Sequence, residues 1–373
     1  GVILHTNLGR APLAAAAKAA VAEATGYCTL EFDVEEGGRG SRQAHTRDLL
    51  REITGAEDAL VVTNAAAALF LMLHALAEAG ETIVSRGELV EIGDEFRIPE
   101  ILEKSGSVLI EVGTTNRTRL RDYEMALSPR TRCALKVHRS NFHISGFTSE
   151  ASLTELVALM GRREIPVIHD VGSGLLVDLE PYGLRGEPRV QESVAAGAIV
   201  VFSGDKLMGG PQAGIIVGPS EVLSRAARHA LFRALRPDKT IIAALEATLA
   251  LYRDPARALA EVPTLAMLVA DPGTLKRRAQ RLAKQLGKAA LMPGSSSVGG
   301  GAFPEAALAS TLVALDVGSC EAFLEALRRH DPPVIARAHE GKVVLDVRTI
   351  GDEESDAVVE AVGAARRGLR GSR

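Results

Sequence analysis

Lys206 and Asp170 are the residues whose types and order could do chemistry. Lys206 stands in SGDKLMGGPQ (203–212), directly after Asp205 and just before a Gly-Gly-Pro turn. Asp170 ends PVIHD and precedes Val-Gly-Ser-Gly. Each follows an apolar run, so each would lie at the carboxyl end of a buried strand, where open α/β sheets bind ligands. If the two strands are neighbours, the amine can condense with an aldehyde while the carboxylate holds a protonated pyridine nitrogen. That is the pyridoxal-phosphate arrangement. The amine must also act as a base, so burial or a nearby positive charge has to depress its pKa. Ser203 could donate to the cofactor phosphate. An Asp before a turn can equally be a cap, and a lone Ser-x-x-Lys occurs in any exposed loop. The chain order and the strand contexts together carry the reading.

A phosphate needs a cradle. Thr63-Asn64-Ala65-Ala66 leaves an apolar strand and enters an Ala-rich helix. Small residues there let backbone amides approach, and a helix N-terminus favours negative charge; by itself the segment reads equally as a packed helix start. Arginines form a second set. Arg10 sits in the polar loop HTNLGR, and Arg233 and Arg236 in FRALR are spaced i, i+3, which puts them on one face of a helix. Two guanidinium groups so placed suit a phosphate-like anion, although a solvated face explains the spacing too. Arg39 and Arg42, in GGRGSRQAH, are further candidates for an anion or a partner. His138, His143 and His169 lack nearby acidic ligands in sequence, so polar contacts or satisfied core histidines are expected rather than a metal. The sparse aromatic residues single out none to stack on a cofactor ring.

The elements that must position these groups are short Val- and Ile-rich runs alternating with helical patterns: 59–63, 82–85, 107–113, 133–138, 166–172, 198–204 and 213–218. Such runs predict a mostly parallel sheet covered by helices on both faces. The link between the last two is too short for a crossover helix, which predicts an antiparallel pair. Residues 219–252 read as helix, broken in two by Pro237. Beyond them a long helix, a Ser/Gly stretch (PGSSSVGGGAF), an apolar strand, a helix and a two-stranded turn read as a small α+β domain. The expected division is an N-terminal segment 1–14 packing with the small domain, a cofactor-binding large domain 15–252 and a small C-terminal domain 253–373.

With 373 residues, 46% hydrophobic and 24% charged, the chain can bury large cores. No apolar run approaches the roughly 20 residues of a membrane helix. Cys28, Cys133 and Cys320 are too scattered for a metal motif or a disulfide framework. A net charge of −4 is unlike a nucleic-acid binder. The arginines of ARRGLRGSR read as a frayed basic tail. A cytoplasmic location is expected. GVILH reads as a strand already under way, which raises the expectation of a missing N-terminal segment.

HTNLGRAPL, RGELVEIGDEFRIPEI, KVHRSNFHISGFT, DVGSGLLVDL, SGDKLMGGPQAGIIVG, FRALRPDKTIIAALEATLALY and SSVGGGAFP together resemble the bacterial L-seryl-tRNA(Sec) selenium transferase (selenocysteine synthase) family over essentially the whole chain. The resemblance implies a fold-type-I pyridoxal-phosphate enzyme that converts seryl-tRNA(Sec) to selenocysteinyl-tRNA(Sec) with selenophosphate as selenium donor. It implies Lys206 as the Schiff-base lysine, Asp205 as a required carboxylate beside it, and Arg10, Arg233 and Arg236 as binders of the selenophosphate anion. It further implies a homo-oligomer built from dimers, up to a decamer, and a separate N-terminal domain that grips tRNA. Read as it stands, the chain is expected to be the catalytic core without that domain and to bind tRNA weakly. The alternative from the same core is a pyridoxal-phosphate lyase of small or phosphorylated amino acids that uses no tRNA. A cysteine desulfurase is disfavoured because no cysteine stands in an obvious mobile catalytic loop, and the presence of Lys206, Asp170 and the arginines argues against a core that has lost its chemistry.

Overall fold

The computed structural model describes residues 1–92 and 96–371. The chain divides into two compact units. The larger comprises Thr6–Leu265 and Gly300–Glu305, and the smaller Gly1–His5, Ala266–Gly299 and Ala306–Arg373.

The larger unit is built on a seven-stranded sheet ordered Asp58–Val62, Gly214–Gly218, Ile199–Ser203, Val167–Gly172, Thr131–Val137, Glu81–Ser85, Val108–Val112. All neighbours pair in parallel except Gly214–Gly218, which runs antiparallel to both its neighbours. The short link between Ile199–Ser203 and Gly214–Gly218 thus has the direction its length dictates. The alternation of a strand assigns its residues to two cores. Val84, Leu135, Ile168, Val201 and Ile216 face one helical layer, with Leu69, Met72, Leu73 and Leu76 of helix Ala65–Ala77. Ile83, Ala134 and Val167 face the other, with Tyr123, Leu156 and Met160. Truncating one of these buried leucines to alanine costs about 2–5 kcal/mol. Gly214 lies under the entry to helix Ala65–Ala77: a Cβ there would strike the carbonyl of Asn64. The strand can carry the helix start so closely only because that residue is glycine.

The 219–252 region breaks into three helices rather than two: Ser220–Arg228, Ala230–Ala234 and Lys239–Leu251. Pro237 accounts for the later break. The earlier one falls at His229, whose extended backbone lets its ring accept the Leu231 amide as an N-cap.

The smaller unit holds a five-stranded sheet ordered Val2–Leu4, Ala289–Gly299, Ala302–Leu315, Lys342–Asp346, Arg337–His339. Val2–Leu4 pairs in parallel with the end of Ala289–Gly299. Helices Pro272–Leu286, Cys320–Arg328 and Ser355–Gly371 pack on the sheet through Leu275, Leu282, Phe323, Leu327, Val358 and Val362. The Ser/Gly stretch lies mostly in strand Ala289–Gly299. Ser296 and Val298 alternate inward, and the Ser296 and Ser310 hydroxyls both donate to Asp346, at 2.8 and 2.7 Å. The basic tail, as far as it is described, is helical rather than frayed: helix Ser355–Gly371 carries Arg366, which donates to the carbonyls of Leu286, Gly287 and Lys288. Such end carbonyls have no partner inside their own helix. Ser372 and Arg373 lie outside the described residues.

The division differs from the expected boundaries at 14 and 252. Residues 6–14 belong to the larger unit, where the Ala11 amide donates to the Asp205 carbonyl at 3.2 Å. Residues 253–265 belong there as well. Tyr252 Oη donates to the Met208 carbonyl at 2.7 Å, and Val262 packs against Gly209. The turn that carries Lys206 therefore holds both segments. Among the described residues no helix is long and apolar enough to cross a membrane.

Candidate active site

Strands Val167–Gly172 and Ile199–Ser203 are parallel neighbours, with Asp170 opposite Val201. Lys206 follows the second of them, so both groups come to the carboxyl edge of the sheet. The register slips between Asp170 and Gly172, and the slip turns the Gly172 amide onto Asp170 Oδ1 at 3.1 Å. Gly172 has φ +64, and a Cβ there would lie 3.8 Å from Lys206 Nζ and 3.9 Å from Asp170 Oδ1. Glycine thus keeps open the space that both groups border.

The electrostatics follow from burial. Lys206 is 7% exposed, and loss of hydration pushes its pKa down; Arg10 adds to this while Asp170 and Asp205 oppose it. Burial likewise pushes the Asp170 carboxyl up to about 6, against the attraction of Lys206. Desolvation outweighs mutual attraction at both ends of the pair. Burial therefore favours the neutral amine, the form a nucleophile or base must take.

Asp205 is held differently. Arg10 Nη1 donates to its Oδ2 at 2.7 Å, and the Ser203 hydroxyl donates to its Oδ1. Ser203, expected to face a phosphate, directs its hydroxyl at Asp205 instead. Arg10 and Asp205 border a cleft of about 340 Å³ together with Thr6, Gly9 and Gln212. The Arg10 side chain is 29% exposed there, so it can meet a ligand while still paired.

The expected cradle is a helix start. Asn64 caps helix Ala65–Ala77, its Oδ1 accepting the Ala67 amide at 2.8 Å. The amides of Ala65 and Ala66 stand in the first turn, where no helical carbonyl can accept them. The Thr63 amide donates to the Leu235 carbonyl at 3.0 Å, which ties the segment of Arg233 and Arg236 to this turn. The two arginines do not share a helical face. Helix Ala230–Ala234 ends before Arg236, as expected of the residue before a proline. Arg233 is exposed, and Arg236 Nη1 lies 3.6 Å from Glu31 Oε1. Glu31 also accepts from Arg42 Nε and Nη2, at 2.9 and 2.7 Å, and lies 3.5 Å from Arg39. Those two arginines, candidates for an anion, are thus engaged with a carboxylate.

Of the histidines, His143 is exposed, whereas His169 is buried against Ser193 and its pKa is pushed down to about 3 by burial. The His138 amide donates to the Asp170 carbonyl at 2.8 Å, and its Nε2 lies 3.3 Å from Glu187 Oε1. Sequence reasoning did not find Glu187. It sits in a charged loop string, RGEPR, that looks solvated. A buried amine, a carboxylate short of donors and a helix start with open amides fit the aldehyde, ring nitrogen and phosphate of pyridoxal phosphate.

The family model of L-seryl-tRNA selenium transferase matches residues 1–351. The L-seryl-tRNA(Sec) selenium transferase of Solidesulfovibrio magneticus is 53% identical over 98% of this chain and 80% of its own length. Among solved structures, D-glucosaminate-6-phosphate ammonia-lyase is 20% identical, with a TM-score of 0.66 over 98% of this chain and 95% of its own. A structure of SPT with a PLP internal aldimine is 16% identical, with a TM-score of 0.50 over 99% of this chain and 87% of its own. At such identities these two show the fold alone, that of the fold-type-I pyridoxal-phosphate enzymes. The sequence identity lies with the transferases and not with the lyase, so the alternative without tRNA is not favoured. The chain belongs to the L-seryl-tRNA(Sec) selenium transferase family.

Proposed function

We propose that the protein converts seryl-tRNA(Sec) to selenocysteinyl-tRNA(Sec), with pyridoxal phosphate as cofactor and selenophosphate as selenium donor. The observation that carries the chemistry is Lys206, buried beside Asp170 at the ends of adjoining strands with its pKa pushed down. When bound, pyridoxal phosphate supplies a sink for the charge left at the serine Cα after its proton is removed. Lys206 anchors the cofactor and takes that proton, because its buried amine is available in the neutral form. Asp170, fixed by the Gly172 amide, holds the proton of the ring nitrogen. The Ala65 and Ala66 amides, at the positive end of their helix, hold the phosphate. In the net reaction the Cβ–O bond breaks and water leaves, a Cβ–Se bond forms, and water takes the phosphorus as phosphate. Arg10, Arg233 and Arg236 hold the donor phosphate, and Asp205 fixes Arg10. The family resemblance supports a homo-oligomer built from dimers, acting in the cytoplasm.

Incubation of the cofactor-loaded protein with seryl-tRNA(Sec) and labelled selenophosphate should place selenium on the aminoacyl-tRNA. Serine ester that stays unconverted would overturn the reading.

A further inference from the structure

Glu187 belongs to no motif, and no step above uses it. It stands just ahead of helix Val190–Ala195, with 1% of its side chain exposed. A buried carboxylate persists only where a charge or hydrogen bonds compensate it. Its Oε2 accepts the Phe303 amide at 3.0 Å. Its Oε1 and His138 Nε2 face each other at 3.3 Å, and both atoms are buried without a hydrogen-bond partner. Each is the partner available to the other. Phe303, at the start of strand Ala302–Leu315, has φ +46, in the left-handed region that bulky residues avoid, so the backbone that gives its amide to Glu187 must be held. His138 in turn is tied to the centre through its amide on the Asp170 carbonyl.

We infer that Glu187 is a positioning residue that acts through His138. Its carboxylate keeps a ring proton on Nε2 and pins the Phe303 backbone, which leaves Nδ1 as the ring atom offered to the ligand. A histidine with one nitrogen committed to a carboxylate has its tautomer and ring orientation fixed. The inference rests on the pyridoxal-phosphate reading for the reaction it serves, but its first test needs no cofactor.

Long-range ¹H–¹⁵N spectra of the cofactor-free protein, with His138 assigned by its loss in His138→Gln, should show a proton on Nε2. Glu187→Ala should move that proton to Nδ1 or mix the two forms. Glu187→Gln keeps an acceptor for the Phe303 amide while removing the charge, and so covers a failure of the alanine variant to fold. In the loaded enzyme Glu187→Gln should lower kcat about tenfold, with KM for the aminoacyl-tRNA changed less than about twofold. A His138 spectrum and a kcat that Glu187→Gln leaves unchanged would overturn the inference. A parent protein that makes no product, but whose His138 proton moves in the variants, would overturn the functional reading and leave this one standing.

Discussion

Asp170 and Asp205 both act on Lys206, and they stand in opposite electrical situations. Asp170 has burial against it. The Gly172 amide and the Lys206 charge offset only part of the lost hydration, so its carboxyl is pushed up to about 6. Asp205 has a donor on each oxygen, Arg10 on one and Ser203 on the other. A carboxylate short of donors gains when a ligand brings it an N–H. A carboxylate already supplied works as a latch: it joins the Arg10 loop to the Lys206 turn and sets where the guanidinium stands.

The largest effect is expected at the group both carboxylates surround. Lys206→Ala should lower turnover by at least about 10³-fold and abolish the borohydride-reducible absorbance of the loaded protein. A chromophore that survives would move the anchoring amine elsewhere. The contrast between the carboxylates comes next. Asp170→Asn should lower kcat by about 10² and shift the absorbance of the loaded protein, because an amide cannot hold the ring-nitrogen proton as an anion does. Asp205→Asn should leave that absorbance in place and raise KM for selenophosphate about tenfold, because Arg10 loses its anchor. The distinction fails if both variants change the absorbance alike.

The cofactor-free protein offers a second way to separate them. Between the ordinary Asp value of 3.8 and about 6, the folded chain keeps a proton at Asp170 that the unfolded chain has released. The Asp170 contribution is thus most favourable below 3.8 and becomes less so as pH rises to about 6. The difference is on the order of 2–3 kcal/mol. Urea unfolding should therefore show Asp170→Asn gaining stability over the parent at pH 7 and not at pH 4. A variant that gains nothing at pH 7 would mean the folded protein hydrates this carboxylate.

The buried half of the site was legible because a strand announces itself. Continuous Val/Ile runs placed Asp170 and Lys206 at strand ends, and a link too short for a helix gave Gly214–Gly218 its direction. The helix start at Asn64–Ala66 was legible by the same logic, as small residues after an apolar strand, but the capping role of the Asn64 side chain was not. Nor were the arginines. An i, i+3 spacing presumes a continuing helix, and Pro237 ends it before Arg236. Ser203 was misdirected for a related reason: its spacing to Lys206 says nothing about Asp205, which lies nearer and takes its hydroxyl. Glu187 left no trace, because its burial depends on His138 and Phe303, both distant in sequence. The Ser/Gly stretch did not announce its strand, since of its three serines only Ser296 turns inward, onto Asp346.

The smallest expected effect concerns the third arginine. Arg236 lies beside Glu31, which would compete with the anion proposed for it, and Glu31 is held mainly by Arg42, which also lowers its pKa. This cluster is solvated, so Glu31→Gln should move the unfolding midpoint very little. Its effect on binding has the opposite sign to Asp205→Asn. Removing the Glu31 charge releases Arg236 from a competitor, so KM for selenophosphate should fall about twofold with kcat unchanged. A KM that rises instead would mean Glu31 positions Arg236 as Asp205 positions Arg10, and the two carboxylates would then be latches of one kind.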